Sequence, residues 1–257
     1  MKLFAQAAII AILLIGLLAC QPVFAKTLKA CGHPFYPPVS WVNNSSLLGL
    51  APAVTEQLFS ELQYEVTFIA DYNWKRCLLE VKQGNADIVV AAYRIPSRED
   101  YLYFSTQPII ADTIALFENA EKPLQFTQLK DLENKTVGLL LGDSFGETFD
   151  RFLLKNTTIE YVSRNRQNFE KLSMGRIDFM PIGRLSGILQ SQKLGFDQQI
   201  SPLNYTVDTE FYFLALGHAS KLEKHLPFLN QRLQEMQENG TIKKLTEQYS
   251  QIYLSQP

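Results

Sequence analysis

Cysteine and histidine are both scarce in this chain, which has only three of each among its 257 residues. Three cysteines are too few for a disulfide-built scaffold, and the scattered histidines form no ligand-spaced cluster for a metal. The net charge is also small, because 24 Lys and Arg stand against 26 Asp and Glu. A chain without a strong field of one sign has no general means of holding nucleic acid. We therefore expect no metal, no cofactor and no nucleic-acid partner.

Catalytic motifs are missing as well. The sequence has no G-x-S-x-G, no H-E-x-x-H and no glycine-rich phosphate loop after a strand. None of the histidines has a triad-like setting, and although His33 could lie near a ligand cleft, a lone loop histidine is more often simply solvated. The residues by themselves therefore give no support for an enzyme.

The one long apolar run lies at the N-terminus. Ala7 to Cys20 carries no charged side chain and follows Lys2, but as a helix it would span only roughly 21 Å. That is too short for a membrane span and is typical of a secretory signal. Val23-Phe24-Ala25 predicts cleavage after Ala25, whereas Leu17-Leu18-Ala19-Cys20 resembles a lipoprotein box acylated at Cys20. Both interpretations place the protein outside the cytoplasm, and we expect the periplasm.

Export changes the meaning of the remaining cysteines. An oxidising compartment makes Cys31 and Cys77 candidates for one disulfide, which would be worth roughly 4 kcal/mol by closing a long loop. Two buried free thiols are the alternative. The sequence leaves this choice open.

Strand and helix signals alternate twice along the mature chain. Strands are predicted at 27–31, 64–69 and 86–92, with helices at 49–62 and 76–83 between them. The same module recurs with strands at 136–141, 159–162 and 177–182 and helices at 147–155 and 168–174. Ser144 and Glu147 have the spacing of a capping box for the helix that follows. The repetition predicts two α/β lobes with a ligand cleft between them, joined near 105–117 and 203–216 and followed by a helical tail.

Three ordered motifs resemble the type 3 family of bacterial extracellular solute-binding proteins. The first runs from Trp74 to Leu79 and continues as Gly84-Asn85-Ala86-Asp87-Ile88-Val89, and the second is Ile95-Pro96-Ser97-Arg98 followed by Tyr103-Phe104-Ser105-Thr106-Gln107-Pro108. The third joins Leu229-Asn230 to Asn239-Gly240-Thr241-Ile242, and Gly175-Arg176-Ile177-Asp178 is a weaker echo in the second lobe. Together they span most of residues 27–250.

This resemblance implies a type II periplasmic binding protein-like α/β fold, with a hinge between two lobes. The expected organisation is a signal peptide at 1–25, lobe 1 at 26–110, lobe 2 at 111–205, and a hinge return with C-terminal helices at 206–257 that completes lobe 1. It also implies a monomer that binds an amino acid or another small carboxylate and delivers it to the permease of an ABC importer. A stand-alone periplasmic sensor is the main alternative, and a cyclohexadienyl dehydratase-like enzyme is a weaker one.

The resemblance also assigns ligand-binding residues by position. Arg98 matches the arginine that holds the ligand carboxylate, although a surface ion pair with Glu99 or Asp100 is the simpler alternative. Ser144 matches the second-lobe residue that reaches the same carboxylate from a helix N-terminus. The expected aromatic lining comes from Phe35, Tyr36, Trp41 and Trp74.

The sequence departs from the family pattern in two respects. Tyr93 and Ala91 stand where a small hydroxyl residue is usual, and Gly183 stands where an acidic residue pairs with the ligand ammonium. An unpaired buried ammonium would cost several kcal/mol. Tyr93 and Arg184 are candidates to replace the missing polar groups, and ligand identity stays open.

Overall fold

A computed structural model describes residues 26–256 of the chain. The predicted signal peptide, both cleavage alternatives and Cys20 lie outside the described residues. Within that range, no helix is long and apolar enough to cross a membrane.

The first lobe begins with a parallel β-α-β arrangement. Its elements in chain order are β1 (Lys26–Cys31), β2 (Phe35–Tyr36), β3 (Ser40–Asn43), β4 (Ser46–Leu48), α1 (Leu50–Glu61), β5 (Tyr64–Ile69), α2 (Trp74–Lys82), β6 (Ile88–Tyr93), α3 (Pro96–Glu99) and β7 (Leu102–Phe104). Strand β1 pairs in parallel with both β5 and β6. Every side chain of β6 is buried, which agrees with its continuous apolar sequence.

The proline-rich segment after β1 is more ordered than its composition predicts. It contains the short hairpin of β2, β3 and β4, in which Phe35 lies opposite Trp41. Three prolines in five residues are typical of a loop, since proline fixes φ and removes a backbone donor. The strands can form because the prolines lie just before and after β2, leaving the paired residues their N–H groups.

The second lobe repeats the pattern on a smaller scale. Its elements are β8 (Ile110–Asn119), β9 (Thr136–Leu140), α4 (Glu147–Asn156), β10 (Thr158–Val162), α5 (Asn165–Ser173), β11 (Met180–Gly183), α6 (Arg184–Leu194) and β12 (Ile200–Gly217). Strands β9 and β10 are parallel, and β11 is antiparallel to β8. The sequence had not predicted α6, which begins directly after Gly183.

Two long antiparallel strands join the lobes. β8 and β12 pair with each other over most of their length, and the sheet runs in the order β11-β8-β12-β6-β1-β5. A single sheet therefore extends from one lobe into the other. Side chains on β8 and β12 lie at the base of the interlobe cleft.

The chain ends in two helices, α7 (Leu226–Glu238) and α8 (Thr241–Ser255). Helix α8 packs against both α1 and α6, so it contacts elements of both lobes. Its Tyr253 forms a small buried cluster with Trp41 and Leu189.

A disulfide joins β1 to α2. Cys31 and Cys77 are fully buried, with Cα atoms 5.8 Å apart, and their sulfurs are bonded. The bond fixes the helix that carries Trp74 to the central strand of the first lobe. It thereby helps to hold one wall of the cleft.

Candidate functional site

A small enclosed pocket lies between the lobes and is lined almost entirely by polar and aromatic side chains. The remaining space is about 20 Å³, room for about one water molecule, so the cleft is closed. The lining residues are His33, Tyr36, Trp74, Tyr93, Arg98, Asp143, Ser144, Phe145 and Tyr212. Five of the eight predicted binding residues are among them, and three are not.

Arg98 is the central cation of this pocket. It lies on α3, directly after β6, and only 5% of its surface is exposed. Its guanidinium donates to the carbonyl of Tyr93 at 3.1 Å and to the carbonyl of Gly142 in the second lobe at 3.2 Å. It also lies over the ring of Trp74, with Cζ 5.4 Å from the ring centre.

Arg98 is buried and does not form the surface ion pair with Glu99 or Asp100 that was its simpler alternative. Glu99, the simpler candidate partner, pairs with Arg94 instead. Burial lowers the pKa of Arg98, and nearby Asp143 and Asp150 partly oppose this. A buried guanidinium that makes only carbonyl hydrogen bonds can still accept a carboxylate in its bidentate fork.

A histidine–aspartate pair crosses the cleft beside Arg98. His33 Nε2 lies 3.1 Å from Asp143 Oδ1, and His33 Nδ1 accepts the Phe35 N–H at 3.1 Å. Because Nδ1 accepts, the neutral ring carries its proton on Nε2 and donates it to Asp143. His33 is only 4% exposed, so the expectation of a solvated loop histidine is wrong. Its signal in the sequence was its position immediately after β1.

A buried carboxylate that the sequence did not reveal lies behind the pocket. Asp112, on β8, accepts hydrogen bonds from the hydroxyl groups of Tyr36, at 2.6 Å, and of Tyr93. Burial raises the pKa of Asp112, and these two hydrogen bonds partly offset that rise. The only sequence signal was an acidic residue near the start of a mostly apolar strand, whose other acidic residue is Glu118 near its end.

The backbone of Gly183 lies directly against the Asp112 carboxylate. A Cβ added to Gly183 would lie 2.1 Å from Asp112 Oδ1 and 2.5 Å from the Tyr36 hydroxyl. The Gly183 N–H also donates to that hydroxyl at 2.7 Å. The position where the family pattern has an acidic side chain is thus filled by a carboxylate from the neighbouring strand β8.

Ser144 lines the pocket but does not cap the following helix. Helix α4 begins after Gly146, whose φ is 92°, and no side chain caps it. The Ser144 hydroxyl instead donates to Asp150 Oδ2 at 2.5 Å, and the Phe145 N–H donates to Asp150 Oδ1 at 2.8 Å. The predicted capping box of Ser144 and Glu147 is therefore wrong, because Asp150 organises the loop from within the helix.

Three predicted residues lie away from this pocket. Trp41 packs edge-on against Tyr253 and donates to Gln256, which closes it off from the central cleft. Phe35 and Trp41 share a separate groove between the first-lobe hairpin and the second lobe. Arg184 donates to the carbonyls of Leu203 and Tyr205, each at 3.0 Å, and so braces β12.

The aromatic lining includes two residues that the sequence did not single out, Phe145 and Tyr212. Tyr212 lies on β12, and its ring is 4.5 Å from that of Tyr93 and 5.4 Å from that of Tyr36. Across residues 26–256 no group of three or more His, Cys, Asp or Glu side chains could hold a metal ion. The pocket thus offers one cation, buried acidic groups and aromatic faces.

Comparison with known sequences identifies related proteins. The sequence profile of the bacterial extracellular solute-binding proteins, family 3, matches residues 28–252. The L-cystine-binding protein TcyJ of Escherichia coli (strain K12) is 24% identical over 216 residues, which is 83% of this chain and 79% of that protein.

Solved structures show the same architecture. The amino acid ABC transporter substrate-binding protein AbpA of Streptococcus pneumoniae, bound to L-arginine, superposes with a TM-score of 0.77 at 18% identity, over 90% of this chain and 97% of its own. A histidine kinase sensor domain with similarity to periplasmic binding proteins gives 0.73 at 17% identity, over 88% and 96%. The predicted two-lobe, periplasmic binding protein-like fold is confirmed.

Proposed function

This chain belongs to the bacterial extracellular solute-binding proteins, family 3, and on that premise we propose that it captures an amino acid or a closely related carboxylate between its lobes. The observation that carries the proposal is the buried Arg98 at the interlobe contact. A relative named for L-cystine binding and a similar structure bound to L-arginine support an amino-acid ligand. The family consists of binding proteins, which supports binding rather than catalysis.

Arg98 receives the ligand carboxylate in this proposal. Its guanidinium already points across the cleft to the carbonyl of Gly142. A carboxylate offers a charged acceptor that meets the guanidinium with two parallel hydrogen bonds, which are stronger than the single bonds Arg98 makes to neutral carbonyls. Trp74 supports the guanidinium from one face and fixes its plane.

Asp112 supplies the charge for the ligand ammonium. The Asp112 carboxylate beside Gly183 supports this assignment, because an acidic group is present although position 183 carries none. Tyr36 and Tyr93 lie between Asp112 and the pocket, and their hydroxyls can accept from an ammonium while donating to the carboxylate. Arg184 is not needed for this role because it is committed to backbone carbonyls.

Contacts that link the closed lobes include Arg98 to the Gly142 carbonyl, His33 to Asp143, and the Gly183 N–H to the Tyr36 hydroxyl. All three sit at the pocket. A ligand that adds contacts to both walls shifts the protein toward this closed state.

We also propose that the protein works in the periplasm, released by cleavage after Ala25, and hands its ligand to an ABC importer. Acylation at Cys20 is the alternative form of export. N-terminal sequencing of the exported protein distinguishes the two, because it would begin at Lys26 in the first case and be blocked in the second.

A stand-alone sensor remains the second candidate, and the sensor-domain fold match favours it. Deletion of the gene should abolish uptake of the ligand if the protein serves an importer. Intact uptake, combined with a lost transcriptional response to the ligand, would favour the sensor.

A binding screen with purified residues 26–257 tests the proposal. A ligand at 100 times its Kd adds about 2.7 kcal/mol of stability, which a thermal shift detects easily. R98A should weaken binding about 100-fold or more, because it removes one member of a buried charge pair. R94A is the matched control, since Arg94 is exposed and pairs only with Glu99. Unchanged affinity in R98A would overturn the carboxylate clamp.

A further inference from the structure

Glu210 is a half-buried carboxylate to which none of residues 26–256 contributes an ion pair. It lies on β12 directly opposite Asp112 on β8. Like charges at opposed positions of an antiparallel pair repel each other. Among residues 26–256, no side-chain hydrogen bond or ion pair to the Glu210 carboxylate is formed. Two acidic groups are therefore held together at the base of the cleft.

More acidic groups surround Glu210. Asp208 lies two residues earlier on the same face of β12, and both carboxylates approach Gly146 of the second lobe. A Cβ at Gly146 would lie 2.5 Å from Glu210 Oε1 and 3.8 Å from Asp208 Oδ2. Burial raises the pKa of Glu210, and the charges of Asp208, Asp150 and Asp112 raise it further.

Few positively charged side chains are available to the Glu210 carboxylate. The charge of Arg98 opposes the effects of burial and of the acidic neighbours and lowers the pKa of Glu210. His33 is engaged with Asp143, and Arg151 pairs with Glu147 on the outer face of α4. A ligand carboxylate on Arg98 would cancel the positive charge of Arg98. An α-ammonium at Asp112 would still leave Glu210 and Asp150 uncompensated.

Glu210 also has access to the ligand. Tyr212 is two residues further along β12, on the same face, and lines the pocket. Asp150 reaches the pocket through Ser144, which lines both the pocket and the groove outside it. Neither carboxylate lines the pocket itself, but each lies next to a residue that does, Glu210 next to Tyr212 along β12 and Asp150 against Ser144.

We propose that the ligand carries a positively charged side chain, which Glu210 and Asp150 receive at the base of the cleft. This inference rests on the proposed function and specifies its substrate class as a cationic amino acid. A guanidinium or ammonium there compensates charges that the protein leaves uncompensated, whereas a neutral side chain does not.

The test compares ligands that differ in charge but hardly in shape. L-Arginine and L-citrulline form one pair, and L-lysine and L-norleucine form a second, measured by calorimetry on residues 26–257. The wild type should bind each cationic member at least about tenfold more tightly, equivalent to about 1.4 kcal/mol. In E210Q and in D150N the preference should shrink toward equality.

E65Q is the matched control, because Glu65 is an exposed carboxylate on the edge strand β5, and it should keep the full preference. Equal or tighter binding of citrulline by the wild type would overturn the inference while leaving the proposed function intact. Binding of no amino acid at all would overturn both. E210Q and D150N are measured separately, so that one variant still tests the inference if the other does not fold.

Discussion

The substitution G183A tests whether Gly183 exists to make room for Asp112. Its backbone has φ −53° and ψ 130°, which alanine adopts freely. Without any steric conflict, alanine would therefore stabilise the protein by about 0.4–1 kcal/mol through the unfolded state. The structure predicts the opposite sign.

The conflict is large because the site is already full. The added Cβ would lie 2.1 Å from one Asp112 oxygen and 2.4 Å from the other, whereas ordinary contacts begin near about 3.5 Å. Overpacking of this kind costs about 1–3 kcal/mol. For a chain of this size each kcal/mol lowers Tm by about 2–4 °C, so a fall of roughly 2–12 °C is expected.

A double-mutant cycle identifies Asp112 as the cause. D112A alone destabilises, because it leaves the buried hydroxyls of Tyr36 and Tyr93 without their acceptor. In that background the alanine at 183 should cost at least about 1 kcal/mol less than in the wild type. Urea unfolding of the four proteins supplies the numbers. Equal or higher stability of G183A, or strict additivity with D112A, would refute the reasoning.

Two further predictions concern stability. The double variant C31S/C77S should lose about 4 kcal/mol, because the disulfide closes a loop between residues 46 apart; a loss below about 1 kcal/mol in urea unfolding would contradict this. The pKa of Glu210 is higher in the folded protein than in the unfolded chain, so ionising Glu210 destabilises the fold. This destabilisation is absent below the ordinary carboxyl pKa of 4.5 and grows as pH rises through the raised pKa. Ligand-free E210Q should thus exceed the wild type by a few tenths to about 1 kcal/mol near pH 8 and match it near about pH 4; a gain that does not change with pH would argue against it.

Much of the fold follows from local sequence patterns. The continuous apolar run of β6 and the glycines after α2 and α5 are local signals, and the structure has these elements within a few residues of the predicted bounds. The errors are also local. The helix α6 was missed because Gly183 and Gly187 weaken a helical pattern that packing against β8 restores.

The site was harder to predict because its residues meet only through long-range pairing. The motif Ile95-Pro96-Ser97-Arg98 predicted that Arg98 faces the cleft, and Arg98 lines the interlobe pocket. Asp112 lies 76 residues from Tyr36 and has no motif around it. Its role depends on the register of β8 against β11 and β12, which no local pattern specifies. The prediction that Trp41 lines the ligand pocket was wrong for the same reason. The helix that covers Trp41 contributes Tyr253, which is 212 residues further along the chain.

The proposed use of Asp112 on β8, rather than a carboxylate on β11, has a consequence for when the ammonium site forms. A carboxylate on lobe 2 can reach a ligand held by lobe 1 only after closure. Asp112 lies on a strand shared by both lobes and is bonded to Tyr36 and Tyr93 of the first lobe. We infer that the cation site is assembled before the lobes meet, and that closure adds only the Gly183 N–H to the Tyr36 hydroxyl. D112A should accordingly weaken the first encounter with ligand, whereas changes at Ser144 should act on closure alone, a division that stopped-flow binding resolves into its two phases.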